Sequence, residues 1–166
     1  MIYFTADQHF GHANIIKWCN RPFENNQHMD KEIIKRYNSL ITEEDTVYFV
    51  GDLTLHKHDI VGNLLKKLKG IKHLILGNHD SLKPFDYVEL GFTTVHTALE
   101  IFTEMGNYIL VHDPAISQID RNRMFLCGHI HDLFVKQKNC INVGVDVWNY
   151  YPVSLDQINN YKGELE

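Results

Sequence analysis

Short apolar runs alternate with longer amphipathic stretches along this chain. Six runs read as buried strands: residues 2–6, 46–50, 73–76, 108–111, 124–127 and 140–145. They are rich in Val, Ile, Tyr and Phe, are too short for helices, and most stop at Gly or Asp. A seventh run, 95–102, alternates apolar and polar positions and reads as an edge or hairpin strand. Helical spacing falls between these runs. Over 29–41 the residues Ile33, Ile34, Tyr37, Leu40 and Ile41 recur at three- and four-residue steps, and over 59–68 Ile60, Val61, Leu64, Leu65 and Leu68 do the same. Gly70 stands where that second helix should stop. Weaker helical patterns cover 13–19 and 154–160, the latter with Ser154 as N-cap.

Strand–helix alternation in the first half predicts an α/β fold with a covered sheet. The strand-rich second half predicts a second sheet packed on the first. There is no internal repeat, low-complexity tract or linker, and 166 residues at 19.4 kDa suit one domain spanning 1–166.

Composition removes several function classes. A 44% hydrophobic and 22% charged chain is ordinary globular material. No run of eighteen apolar residues is present, so no membrane helix is expected. Residues 1–6 read as a strand rather than a signal peptide, because no basic residue precedes the apolar ones and Asp7 follows at once. A cytoplasmic location is therefore expected. Cys19, Cys127 and Cys140 have neither paired spacing nor an even count and read as reduced thiols. A net charge of −5 predicts no general nucleic-acid-binding patch; a polyanion would need positive charge supplied by a metal site. The abnormal quantity is histidine, eleven in 166 residues.

The polar residues at the strand ends are the informative ones. Asp7-Gln8-His9-Phe10-Gly11-His12 comes after the first strand, Gly51-Asp52 after the second and Gly77-Asn78-His79-Asp80 after the third. His112-Asp113-Pro114 and Gly128-His129-Ile130-His131 come after the next two. Each alone could be turn chemistry. Together they put metal-ligating residue types five times at one topological position. In α/β sheets, the carboxyl ends of the strands line the ligand crevice. The set lacks thiolates, which excludes a structural cysteine–zinc site. Imidazole mixed with carboxylate and amide oxygen suits Mn, Fe or Zn. The donors exceed one coordination sphere, so two divalent transition-metal ions are expected, with Mn first and Fe, Zn or Ni as alternatives. Paired ions of that kind need a bridging carboxylate and support in-line hydrolysis.

Asp-x-His, Gly-Asp, Gly-Asn-His-Asp, a lone His and Gly-His-x-His, in that order from Asp7 to His131, resemble the calcineurin-like metallophosphoesterases, in particular their small capless bacterial and phage forms. The resemblance implies a four-layer αββα sandwich of two mixed sheets flanked by helices, with the metals at the carboxyl ends of the strands. It implies one metal held by Asp7, His9, Asp52 and His131, and another held by Asp52, Asn78, His112 and His129, with Asp52 bridging. His79 would be the acid that protonates the leaving oxygen, and Asp80 would orient it. The implied substrate is a phosphate ester, more specifically a phosphodiester of nucleotide or nucleic-acid origin. The alternative is a catalytically weak scaffold of the same fold that serves protein interaction; a third reading, a helical HD-type phosphohydrolase, fits poorly because these His-Asp pairs follow strands.

Other polar residues carry weaker expectations. His12, beside helix 13–19, is a candidate phosphate contact and is grouped with His79 and Asp80 as catalytic. His56 reads as a surface-loop residue that could reach the site. Arg21 and Arg123 are candidates for a second phosphate, and Trp148, Tyr150 and Tyr151 for core packing or an aromatic wall.

Overall fold

Side chains leave a β-strand alternately on opposite faces, so a strand apolar at every position must be covered twice. This is nearly the situation of β1 (Ile2–Thr5) and β2 (Thr46–Val50), and of the last two residues of β3 (Ile71–Ile75). Tyr3, Val47, Phe49 and Leu74 pack outward against helices, while Phe4, Val50 and Ile75 pack inward against a second sheet. The computed structural model describes residues 1–163.

The first sheet has the order β10-β1-β2-β3-β4, with β4 at Thr94–His96 and β10 at Val153–Ser154. β1 to β4 are parallel and β10 is antiparallel to β1. The second sheet has the order β5-β6-β7-β9-β8, formed by Ala98–Thr103, Gly106–Val111, Met124–Cys127, Cys140–Asn142 and Lys136–Gln137 respectively. In it, β6, β7 and β9 are parallel, and β5 and β8 are antiparallel edges. The molecule is thus an α/β fold of two mixed five-stranded sheets flanked by helices. Tyr108, Leu110, Leu126 and Ile141 face the first sheet. Val111, Phe125, Cys127 and Cys140 fill the opposite face, over which lies the short 3₁₀ turn Pro114–Gln118.

Helices α1 (Ala13–Trp18), α2 (Asn26–Leu40), α3 (His58–Leu65) and α4 (Pro84–Leu90) contribute to the outer core of the first sheet through Ile15, Met29, Ile33, Tyr37, Val61, Leu65 and Tyr87. Asn25 caps α2, accepting the His28 N–H at 2.9 Å. The last helix, α5 (Leu155–Gly163), begins with a reciprocal pair. Ser154 Oγ accepts the Gln157 N–H at 3.2 Å, and Gln157 Oε1 accepts the Ser154 N–H at 2.9 Å, a capping box at the residue expected as N-cap. No helix among the described residues is long and apolar enough to cross a membrane, and the three cysteines are free thiols.

Four departures from expectation bear on the fold. The run 95–102 is not one strand: β4 and β5 lie in different sheets with Thr97 between them. The run 140–145 leaves the sheet after Asn142 and closes as a 3₁₀ turn, Val145–Val147. The helix expected over 59–68 ends at Leu65, and the chain passes through further turns to Gly70, whose φ is +86°. Helix α4 was not anticipated, although Pro84 at its start and Asp86, whose carboxylate accepts the Lys83 N–H at 3.2 Å, mark its first turn.

Candidate metal centre

The parallel strands of both sheets end on one rim. An isolated parallel bridge between Ala6 and Gly144 and a hydrogen bond from the Val145 N–H to the Ala6 carbonyl join the sheets there. The segments leaving β1 and β2 are laced together: Asp7 N–H donates to Gly51 O, His9 N–H to Asp52 O and Phe10 N–H to Leu53 O, at 2.9–3.1 Å. These bonds keep the post-strand segments in register just where the chain turns.

The turns are tight. Asp7, His9, Asp52, His129 and His131 all have left-handed backbone, with φ between 49° and 74°. Such a conformation costs a non-glycine residue free energy and is retained where surrounding structure enforces it, often at functional sites. Glycine beside these residues permits close approach. A Cβ on Gly77 would lie 2.2 Å from Asp52 Oδ1, and one on Gly51 2.3 Å from His112 Nδ1, so only hydrogen fits between these backbones and the polar side chains.

Two donor groups result. The first is Asp7, His9 and His131; the second is Asp52, His112 and His129; within each, the candidate ligand atoms lie within 4.8 Å of one another. Asn78 joins the second group, its Oδ1 lying 2.9 Å from His129 Nδ1 and 3.2 Å from His112 Nε2. The groups meet at Asp52, whose Oδ2 is 3.5 Å from His9 Nε2 and 3.3 Å from His112 Nε2. All seven residues expected as ligands therefore converge on one place.

Burial makes this arrangement expensive without a cation. Asp7 is fully buried, and His9 and Asp52 are almost so. Neither ring nitrogen of His9 has a hydrogen-bond partner, an omission that costs free energy for a buried polar group. Desolvation pushes the Asp7 carboxyl up to about 6, against the lowering influence of His112 and His131. Burial likewise pushes the His9 imidazole well below its ordinary range. At Asp52 burial would raise the pKa, but the hydrogen bond and charge of His112 outweigh it and hold the group low. For His112 burial is outweighed by Asp52 and Asp7, which bring it up to about 9. Unsatisfied imidazole nitrogens facing buried carboxylates are the donor set that a divalent ion satisfies, so the residues fit the group.

Two imidazoles are oriented from behind. His112 Nδ1 lies 2.8 Å from the Val50 carbonyl, which selects the tautomer that leaves Nε2 as the lone-pair donor. His131 Nδ1 lies 3.0 Å from Asp146 Oδ2. Asp146 in turn receives Arg21 Nε and Nη2, each at 2.8 Å. The sequence did not single out Asp146; the signal for it is spatial, since it lies 15 residues from His131 and 125 from Arg21. Asn142, fully buried, was also missed. Its Nδ2 donates to the carbonyls of His131 and Phe134 and its Oδ1 accepts the Gly144 N–H, fixing the segment that carries His129 and His131.

The remaining candidates separate. His79 is half exposed, with Nε2 3.9 Å from Asp52 Oδ2, its ring edge-on to His9, and its N–H donating to Asp52 Oδ1 at 2.9 Å. Asp80 does not orient the His79 ring. Its carboxylate accepts the backbone N–H groups of Asp52, Leu53 and Gly77 at 2.8–3.1 Å, and so clamps two of the turns. His12 lies between His9 and the exposed Trp18, its ring centroid 5.6 Å and 5.2 Å from theirs, and its buried Nδ1 has no partner. His56 packs over Gly11.

Arg21 is not available to a second phosphate. Besides Asp146 it donates to the carbonyls of Gln8 and Asp7 and is almost fully buried, serving as an internal strut. Arg123 pairs with Glu100 beside the start of β7, at the opposite end of that strand from the site. Tyr150 packs on Phe23, and Trp148 donates Nε1–H to the Asn142 carbonyl. Tyr151 lies against Arg36. These aromatics are packing groups.

No family model matches the chain. It shares 37% identity with the uncharacterized protein MJ1445 of Methanocaldococcus jannaschii, over 95% of this chain and 88% of that protein. Its fold matches that of a protein of unknown function from Aquifex aeolicus, with a TM-score of 0.77 and 26% identity over 97% of this chain and 98% of the other. YfcE, a phosphoesterase from E. coli, gives a TM-score of 0.48 and 13% identity over 86% of this chain and 77% of that chain. By the extent of its identity to the Methanocaldococcus protein, the chain belongs to the same protein family as that uncharacterized archaeal protein.

Proposed function

We propose that this chain is a metal-dependent phosphoesterase that hydrolyses phosphodiesters at a dinuclear centre. The observation that carries the reading is the meeting of two donor groups at Asp52, with a buried His9 whose ring nitrogens are unsatisfied. Asp7, His9, Asp52 and His131 would hold one divalent ion, and Asp52, Asn78, His112 and His129 the other. Such ions, when bound, neutralise charge on phosphoryl oxygens and lower the pKa of the attacking water.

The chain's own residues do the rest. His79 is an exposed imidazole beside the two groups, its ring Nε2 3.9 Å from the Asp52 carboxylate and its backbone N–H donating to Asp52 Oδ1. In this reading its ring gives a proton to the departing alkoxide as the P–O ester bond breaks and the bond from water to phosphorus forms. His12, adjoining His9, is the candidate contact for a phosphoryl oxygen. Arg21 and Asp146 hold His131, and Asp80 holds the turns of Asp52 and His79; these act on the reaction through position.

Hydrolysis of bis-p-nitrophenyl phosphate by the purified protein tests the reading, first after chelator treatment and then after return of Mn²⁺. Turnover that is absent with chelator and restored by metal is expected. Absence of turnover with every divalent transition metal would favour the interaction-scaffold alternative.

A further inference from the structure

A cleft of about 340 Å³ opens beside the second donor group, with His129 in its wall. It lies between the 3₁₀ turn Pro114–Gln118, the loop after β7 and the turn joining β8 to β9. That size is within the range of small-molecule sites. Its lining includes an apolar set, Ile130, Leu133 and Phe134, with Leu133 75% exposed. It also includes Arg121 and Lys138, both exposed and without an ion-pair partner among the described residues. One carboxylate, Asp113, also lines the cleft, and its Oδ1 already accepts the Ala115 N–H at 2.8 Å.

The cleft is built rather than incidental. Asn139 Nδ2 lies within 3.2 Å of the carbonyls of Ser117, Asp120 and Arg123, so the turn bearing Lys138 is bolted to the segment bearing Arg121. Lys138 itself is held in left-handed backbone, φ 52°. On a chain of net charge −5, two cations without ion-pair partners that line one cleft with an apolar set, beside the candidate metal centre, suit an anionic group attached to a flat or apolar body.

We propose that this cleft is a subsite for one ester substituent of the substrate, namely a nucleotide unit carrying a second phosphate. The base lies on Ile130, Leu133 and Phe134, and the distal phosphate meets Arg121 and Lys138. The substrate is thus a short nucleic-acid strand or phosphorylated dinucleotide rather than a cyclic mononucleotide. The subsite rests on the phosphoesterase reading above.

The test compares thymidylyl-thymidine with its 5′- and 3′-phosphorylated forms on the Mn-loaded protein, as the ratio of kcat/KM for phosphorylated over unphosphorylated dinucleotide. In the wild type, one phosphorylated form is expected to be favoured about tenfold or more, the scale of one charged hydrogen bond. In Arg121→Ala/Lys138→Ala the ratio is expected to fall close to one. A second readout uses metal-free protein: calorimetric binding of thymidine 3′,5′-bisphosphate should weaken about tenfold in the same double variant. Both substitutions are at exposed positions, and a thermal melt checks that the fold survives. An unchanged ratio in the double variant overturns the subsite. No turnover of any diester by the wild type overturns the phosphoesterase reading and the subsite's role as an ester-substituent site; unchanged bisphosphate binding in the double variant then excludes a nucleotide at this cleft altogether.

Discussion

His9 presents Nε2 to Asp52 Oδ2 at 3.5 Å in a nearly solvent-free space, yet neither nitrogen of its ring has a hydrogen-bond partner. The same Asp52 oxygen lies 3.3 Å from His112 Nε2. One carboxylate therefore faces an imidazole from each donor group, as the proposed dinuclear centre requires of a bridging ligand. Asp52→Asn is expected to cost more metal and more activity than loss of any other single ligand. His79→Gln, in contrast, should leave metal content near normal while kcat falls roughly a hundred- to ten-thousand-fold, the range for proton-transfer groups. Elemental analysis alongside kinetics separates the two. Loss of both metals in His79→Gln would move that residue from acid to ligand.

Asp146 acts on the site through His131, whose Nδ1 it holds at 3.0 Å, and through Arg21, with which it pairs. Replacing it with Asn keeps the shape but removes the charge that fixes the imidazole and compensates Arg21. Metal affinity is expected to drop about ten- to a hundredfold, as for other carboxylates behind ligating histidines. A chelator-competition titration measures this, and unaltered affinity would mean that His131 needs no such support.

Gly77 has a sharp steric requirement. An alanine methyl there would sit 2.2 Å from Asp52 Oδ1, which accepts the His79 backbone N–H, and 2.5 Å from the Asp52 nitrogen, which donates to the Asp80 carboxylate. Gly77→Ala should displace Asp52 and lower both metal content and melting temperature. A variant with wild-type metal content would contradict the close approach. Gly91→Ala is the control for glycine loss in general, since a Cβ there has 3.8 Å to its nearest neighbour, although its φ of +129° brings some backbone strain.

A preference for diesters over monoesters follows from the charges at the centre. Arg21 is engaged inside the protein and Arg123 lies at the far end of its strand, so neither is available to grip a terminal phosphate dianion. With saturating Mn²⁺ at one pH, kcat/KM for bis-p-nitrophenyl phosphate should exceed that for p-nitrophenyl phosphate. If the monoester is turned over tenfold better, about 1.4 kcal/mol in the barrier, the diesterase assignment fails.

The sequence carried most of the fold and the set of converging residues, for a physical reason. Strands buried on both faces must be apolar throughout, as at Phe4, Val50 and Leu126, and the polar residues that come after them at Asp7 and Asp52 have no role in that core. The hidden features depend on distance across space. The alternation of 95–102 continues through Thr97 although the two halves join different sheets, because Val95 packs on the helix-covered core while Leu99 and Ile101 pack between the sheets. Asp80 stands next to His79 in the chain, but the turn sends its carboxylate to the backbone of Asp52 and Leu53. Asp146 carries no local motif, and its importance comes from meeting Arg21 and His131 at once. Adjacency in sequence predicted a contact that does not exist, and separation concealed one that does.

Metal stoichiometry is the most direct test of the dinuclear centre. Protein stripped with chelator, reloaded with excess Mn²⁺ and passed through a desalting column should retain two ions per chain by elemental mass spectrometry, in step with recovered phosphodiesterase activity. A fully active sample holding one ion, or none, would contradict it.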